Sequence, residues 1–210
     1  MSETLTTTPS AEVQIARENK AILQREDFLR TLQDSGEISQ ELLDEGVLDE
    51  FQLIPKLDAK HKHIRDALVH ILIGDYGGGG HHLRSILAAN AEGRSYGSVI
   101  NHNDMPYESL KDWQRLGPNL TYRIGRSVIE PSKNDKRRDI EGITMFPDDW
   151  STEKVIKAIV SVAHEAPSAA TNMGSLVHEA SIDGVPIKVV TDPKDGKIQT
   201  AYPEVLPSHP

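Results

Sequence analysis

Four consecutive glycines, Gly77 to Gly80, follow closely on an apolar helical run and lead directly into His81 and His82. Across His70-Ile-Leu-Ile-Gly-Asp-Tyr-Gly-Gly-Gly-Gly-His81-His82 the chain leaves a helix, turns through residues with the least conformational restriction, and presents imidazoles on both sides of the turn. Ordering a glycine costs about 1 kcal/mol relative to alanine where the chain is regular, so an ordered run needs a compensating reason. Positive φ angles are one such reason, and close approach of an anion such as phosphate to backbone N–H groups is another. A flexible glycine linker is the bland alternative; histidines at both lips argue against it. The stretch is therefore read as one side of a reactive site, with Gly78, Gly79 and Gly80 as its anion-binding loop.

Composition narrows the setting of that site. At 210 residues the chain is long enough for one good-sized domain and a smaller one without covalent staples. It has no cysteine, which removes disulfides, thiolate nucleophiles and cysteine metal sites and is compatible with action in the cytoplasm. The first residues lack the basic and apolar regions of a signal peptide, and no stretch approaches the roughly 20 apolar residues of a membrane span. Net charge is -9, unlike a general nucleic-acid-coating protein. The acidity is concentrated early: residues 1–60 hold 6 Lys+Arg against 13 Asp+Glu, and residues 61–210 hold 17 against 19. The later part is thus free to present a local basic groove.

After a polar tail, Ser10 reads as the N-cap of a long amphipathic helix in which Ile15, Ile22 and Leu29 recur at seven-residue spacing, ending near Ser35-Gly36. A second helix is expected from Ser39, using Leu42, Leu43, Val47, Leu48 and Phe51, with Pro55 ending the segment. Together these make an acidic helical module, residues 1–57, that carries no reactive constellation and serves packing or homo-oligomer formation. A third helix is expected from Asp58 to about Ile73, with His63 and His70 on one face and Gly74 as terminator. A short helix follows from His82 to Ala91, and Gly93 to Arg115 reads as loop.

Asn119 to Ile129 alternates well enough for a strand, and Lys133 to Arg138 reads as a basic loop before the apolar patch Ile143-Thr144-Met145-Phe146-Pro147. Ser151 caps a helix striped by Val155, Ile156, Ile159, Val160 and Ala163. Leu176–Ile182, Val185–Thr191 and Lys197–Tyr202, joined by Asp183-Gly184 and a Pro193–Gly196 turn, form a three-stranded meander. In its last strand Thr200 and Tyr202 share a face and Ala201 points away.

His-Ile-Leu-Ile-Gly-Asp, Gly-Gly-Gly-His, Thr-Met-Phe-Pro-Asp-Asp-Trp-Ser and the terminal Thr-Ala-Tyr-Pro occur here in the order in which similar motifs occur in bacterial EndoU-type endoribonucleases. The resemblance runs from about His63 to Pro203. These domains are similar to the uridylate-specific endoribonuclease of nidoviruses, and many are toxin tips in interbacterial competition, where a cognate inhibitor of the immunity type is the expected partner. The resemblance implies metal-independent, cofactor-free cleavage of RNA to a 2′,3′-cyclic phosphate and a 5′-hydroxyl, with a preference for uridine. It implies His70 and His81 as the general acid and base, with His82 as the competitor for His81, and Thr200 and Tyr202 as the residues that position the nucleotide. Related domains commonly place a lysine within or just before the Thr-x-Phe-Pro motif. Here that position is Ile143, and Lys136, Arg137 and Arg138 are the candidate substitutes.

The residues suit that chemistry on their own terms. Attack by a ribose 2′-hydroxyl needs one group to take a proton and one to give it, and an imidazole with an unperturbed pKa near 6.5 does either. Each partner contributes roughly 100- to 10,000-fold. Two other readings compete. One is a metal-dependent hydrolase or phosphodiesterase using His70, Asp75, His81 and His82 as ligands. The other, supported by the missing lysine, is a non-catalytic RNA- or partner-binding module. The expected architecture is α+β: the helical module of residues 1–57, then a catalytic domain, residues 58–210, with helices packed on antiparallel sheet, resembling barnase-like and EndoU toxins.

Overall fold

The computed structural model describes residues 11–57, 62–74, 79–91, 114–115, 122–130 and 136–204, with α-helices packed against antiparallel sheets. Helix α1 (Ala11–Asp34) ends where expected. Its expected cap, Ser10, lies outside the described residues. The buried stripe is Ala21, Phe28, Leu29 and Leu32, while Ile22 is 40% exposed. The seven-residue reading of Ile22 fails because a straight α-helix drifts about 20° per heptad, and the ring of Phe28 and the side chain of Leu32 decide which face turns inward.

Ser39 caps helix α2 as expected, its hydroxyl accepting from Leu42 N–H at 3.2 Å. That helix is only Gln40–Asp44; Gly46 at φ 70° breaks it, and Val47–Glu50 continues as a 3-10 turn. The third expected helix is corrected more deeply. Leu53–Leu57 (β1) and Lys62–Asp66 (β2) pair as an antiparallel hairpin, with Pro55 opposite Ile64 inside it rather than ending a helix. A proline is tolerated there because a two-stranded sheet has only edge strands. His63 consequently lies on a strand and shares no helix face with His70. The expected division of the chain after residue 57 falls between these paired strands.

Helix α3 is the short Ala67–Ile73. Asp66 caps it through Val69 N–H at 3.2 Å, and Gly74 closes it at φ 86°. Seven residues do not hold a helix in water. This one is stable because Ala67, Leu68, Ile71, Leu72 and Ile73 are all buried, covering nearly its whole circumference. Helix α4 (Leu83–Ala91) follows His82.

Three further strands make a second sheet in the order β3-β4-β5: Gln114–Arg115 (β3), Tyr122–Glu130 (β4) and Lys136–Met145 (β5). Gln114 and Arg115 were expected in a loop, and so were Lys136, Arg137 and Arg138, which pair with Glu130, Ile129 and Val128 instead. Helix α5 (Thr152–Ala163) has the expected cap, Ser151, accepting from Lys154 N–H at 3.2 Å. The C-terminal meander is present as Leu176–Ile182 (β7), Val185–Thr191 (β8) and Ile198–Pro203 (β9). A two-residue strand, Ala169–Ala170 (β6), extends the sheet on the β7 side. Asp183 at φ 49° and Gly184 at φ 78° form the tight turn that the Asp-Gly pair signals.

One contiguous core unites these parts. Phe28, Leu32, Leu42 and Phe51 from the N-terminal helices join Leu68, Ile71 and Leu72 of α3, Met145 and Phe146, Val155 and Ile159 of α5, and Val189 and Ala201 of the sheet. Gln52 joins two elements directly: its N–H donates to Ile198 of β9 at 2.9 Å and its carbonyl accepts from Ala67 of α3 at 3.0 Å. Among the described residues no helix is long and apolar enough to cross a membrane.

Candidate active site

The last carbonyls of a helix have no partner within the helix, and those of α3 find partners in the segment of residues 80–82. Gly80 N–H donates to His70 O at 2.7 Å, His81 N–H to Ile71 O at 2.7 Å and His82 N–H to Leu72 O at 3.3 Å. Residues ten apart in sequence are thereby laid side by side, with His70 and His81 in neighbouring backbone positions. The glycines make this approach sterically feasible. A Cβ on Gly79 would lie 1.9 Å from His70 O and 2.7 Å from its Nδ1, and Gly79 and Gly80 both adopt φ 70°. Close backbone packing thus accounts for Gly79, and the left-handed backbone for Gly80. Gly80 N–H is committed to His70, and Gly77 and Gly78 lie outside the described residues.

The two adjacent histidines have different environments. His81 is half-buried; its Nδ1–H donates to Thr144 O at 2.7 Å, and its own carbonyl accepts from Phe146 N–H at 2.8 Å. Donation from Nδ1 fixes the tautomer of the neutral ring, with the proton on Nδ1 and the acceptor lone pair on Nε2. His82 is fully buried. Its Nε2–H donates to Trp150 O at 3.0 Å and its Nδ1 accepts from Ser85 Oγ at 2.7 Å. Burial pulls its pKa down to about 4, outweighing the opposing pull of the Trp150 carbonyl and Glu37. A neutral imidazole with both nitrogens engaged inside the protein neither exchanges protons with a substrate nor binds a metal. His70 is also buried, at 5% exposure.

The Thr-Met-Phe-Pro-Asp-Asp-Trp-Ser motif is the wall on which His81 rests. Phe146 and Trp150 stack with centroids 6.1 Å apart, Met145 is buried beside them, and Ser151 starts α5. From the opposite side β9 brings Tyr202, whose ring centroid lies 5.8 Å from that of His81 at a 34° tilt. Along β9, Ile198, Ala201 and Pro203 are buried and Thr200 and Tyr202 half-buried, which is the face alternation that period two demands. A register shift between Val190 and Thr191 leaves Gln199 as a bulge and does not disturb that relation. The structure thus brings His70, His81 and the strand of Thr200 and Tyr202 into one region.

The basic residues expected to help are elsewhere on β5. At about 3.3 Å per residue, Arg138 lies roughly 20 Å along the strand from Thr144, with Arg137 and Lys136 farther still. The sequence reading missed Lys188, the cross-strand partner of Tyr202 on the same face. Its ammonium is held by Glu179 at 2.9 Å and by Glu204, and these carboxylates raise its pKa above the ordinary lysine value. Alternation along β8 was the signal that could have found it: Lys188 stands between buried Ile187 and Val189. Two carboxylates already neutralise this charge, so it braces the Tyr202 edge of the sheet rather than offering an open anion site.

The fold is α+β, and His70 and His81 lie on adjoining backbone segments beside the C-terminal antiparallel sheet. The chain belongs to the bacterial EndoU nucleases, whose family model, described as Bacterial EndoU nuclease, matches residues 65–205. No curated protein and no solved structure matches it. Among the described residues no group of three or more histidine and acidic side chains has an arrangement suited to holding a metal; Asp75, invoked in the metal reading, lies outside them.

Proposed function

We propose that this nuclease cuts single-stranded RNA, with a preference for uridine, by transphosphorylation that needs no metal. The observation that carries the reading is the seating of His81: Nδ1 is fixed by Thr144, the ring is beside Tyr202, and the backbone is joined to that of the His70 helix. In this reading His70 and His81 divide the two proton transfers, one taking the proton of the 2′-hydroxyl and the other giving one to the departing 5′-oxygen. His82 has a structural part only. Thr200 and Tyr202 hold the nucleotide, the phenol ring offering a face on which a base stacks.

The test uses RNA oligonucleotides with one uridine, unmodified or 2′-deoxy at that position, in excess EDTA. Cleavage of the unmodified strand to a cyclic phosphate, with the deoxy strand intact, is the expected result. A water-derived nucleophile has no need of the 2′-hydroxyl, so cutting at the deoxy position would sink the mechanism. His70→Ala and His81→Ala are each expected to lower the rate about 100-fold or more.

A further inference from the structure

The matched family region begins at residue 65, yet two ionic anchors reach into it from the segment before it, one to each histidine-bearing strand of backbone. The first is Arg25 of α1. Its guanidinium binds Asp66 through Nε at 2.5 Å and Nη2 at 3.1 Å, and it also donates to Leu48 O at 3.2 Å and Phe51 O at 3.0 Å. Asp66 is the N-cap of α3, four residues before His70. The second anchor is Glu37, in the turn after α1. It accepts from Arg84 Nε at 2.8 Å and from Thr152 N–H and Oγ1–H, both at 3.0 Å. Thr152 Oγ1 lies 2.9 Å from Ser85 Oγ, which donates to His82, the neighbour of His81.

We propose that the segment carrying Arg25 and Glu37 is a positioning element of the nuclease, setting the α3 backbone of His70 through Asp66 and the His81-His82 segment through Arg84 and Thr152. The proposal rests on the nuclease reading for its kinetic arm only. A buried ion pair stabilises a fold weakly, because desolvation offsets much of the attraction, and well-packed apolar groups hold two elements together at least as well. Its particular contribution is direction. A guanidinium fork on a capping carboxylate admits one orientation, whereas an apolar contact tolerates sliding. Helix α3 is short and buried nearly all round, so packing alone specifies its axis better than its rotation, and the rotation is what aims His70. Arg25 and Glu37 are positioning residues acting through other groups.

Full-length Arg25→Lys, Arg25→Ala and Glu37→Gln test this in two ways. Lysine keeps the charge and loses the fork, so Arg25→Lys decides the matter if Arg25→Ala does not fold. Measured per folded molecule on an RNA oligonucleotide, Arg25→Lys and Glu37→Gln should each lower kcat about 10-fold with KM within about twofold, since small misplacements of reacting groups are costly in rate. In 13C-labelled protein the imidazole Cε1–H resonance of His70 should move in the Arg25 variants and that of His81 in Glu37→Gln. That of His178, held by Glu165 O and Thr191 on the C-terminal sheet, should stay in place. A lowered melting temperature with unchanged kcat and unmoved His70 and His81 resonances would overturn the proposal, and so would shifts at all three histidines, which mark general loosening. A wild-type chain that cuts no RNA removes the nuclease reading, and the resonances alone then decide the positioning claim.

Discussion

Gly79 shows how much a single residue decides. Gly36 and Gly79 have nearly the same backbone conformation, φ 74° and 70°, but a Cβ on Gly36 meets nothing within 4 Å whereas one on Gly79 runs into His70. Gly36→Ala should therefore carry only the left-handed backbone penalty, roughly 1–2 kcal/mol. Gly79→Ala must displace the His70 backbone as well, and is expected to abolish most cleavage in whatever fraction folds. Equal cleavage per folded molecule in the two variants, compared by thermal melting and rate, would contradict the close-approach account. The glycine run was legible in sequence as a place that needs a reason. The sequence did not distinguish an anion-binding loop from a close crossing of two backbones, because that depends on which carbonyl lies opposite.

At the scale of elements, β9 and α3 make opposite cases. Alternation places Thr200 and Tyr202 on one face of β9, and the structure keeps them there despite the bulge at Gln199. If the Tyr202 ring holds a base, Tyr202→Ala should weaken RNA binding by about 1–3 kcal/mol and relax uridine preference, and Thr200→Val should lower selectivity or rate while leaving the strand folded. If the ring is only packing, Tyr202→Ala instead lowers the melting temperature and leaves cleavage per folded molecule unchanged. Helix α3 was read too long at its N-terminal end. A helix apolar on nearly every side has no amphipathic period to mark its start, and Lys62–Asp66 pairs along its whole length with β1.

At the scale of the whole molecule, stability depends on pH in part through His82. Burial holds its folded pKa at about 4, against an ordinary value of 6.5, so on acidification the unfolded chain takes up a proton that the folded one refuses. The neutral ring's contribution is therefore complete above pH 6.5 and is lost as pH falls toward 4, amounting to about 3 kcal/mol over that window. Glu37 adds a second, lower window. Despite its burial, hydrogen bonds from Thr152 and the Arg84 charge hold its pKa below the usual carboxylate value, so its contribution fades only below that value of 4.5. Replacing His82 with Gln should flatten the slope of melting temperature against pH between about 4.5 and 6.5, at some loss of overall stability. A variant as steep as wild type in that interval would show that other groups carry the dependence.

The sequence by itself determined the local and periodic features: the length of α1, the caps Ser39 and Ser151, the Asp-Gly hairpin, the shared face of Thr200 and Tyr202, and the family to which residues 65–205 belong. Each depends on residues within a few positions of one another, or on motifs that keep their order along the chain. Only the tertiary structure decided which of two adjacent histidines is half-buried beside Tyr202 and which is fully buried, because His81 and His82 differ in nothing but what surrounds them: Thr144 O and Tyr202 around one, Ser85 and Trp150 O around the other. It also decided that Arg25 pairs with Asp66 and Glu37 with Arg84, each more than 40 residues away along the chain. Contacts at that separation leave no periodicity in sequence; packing creates them.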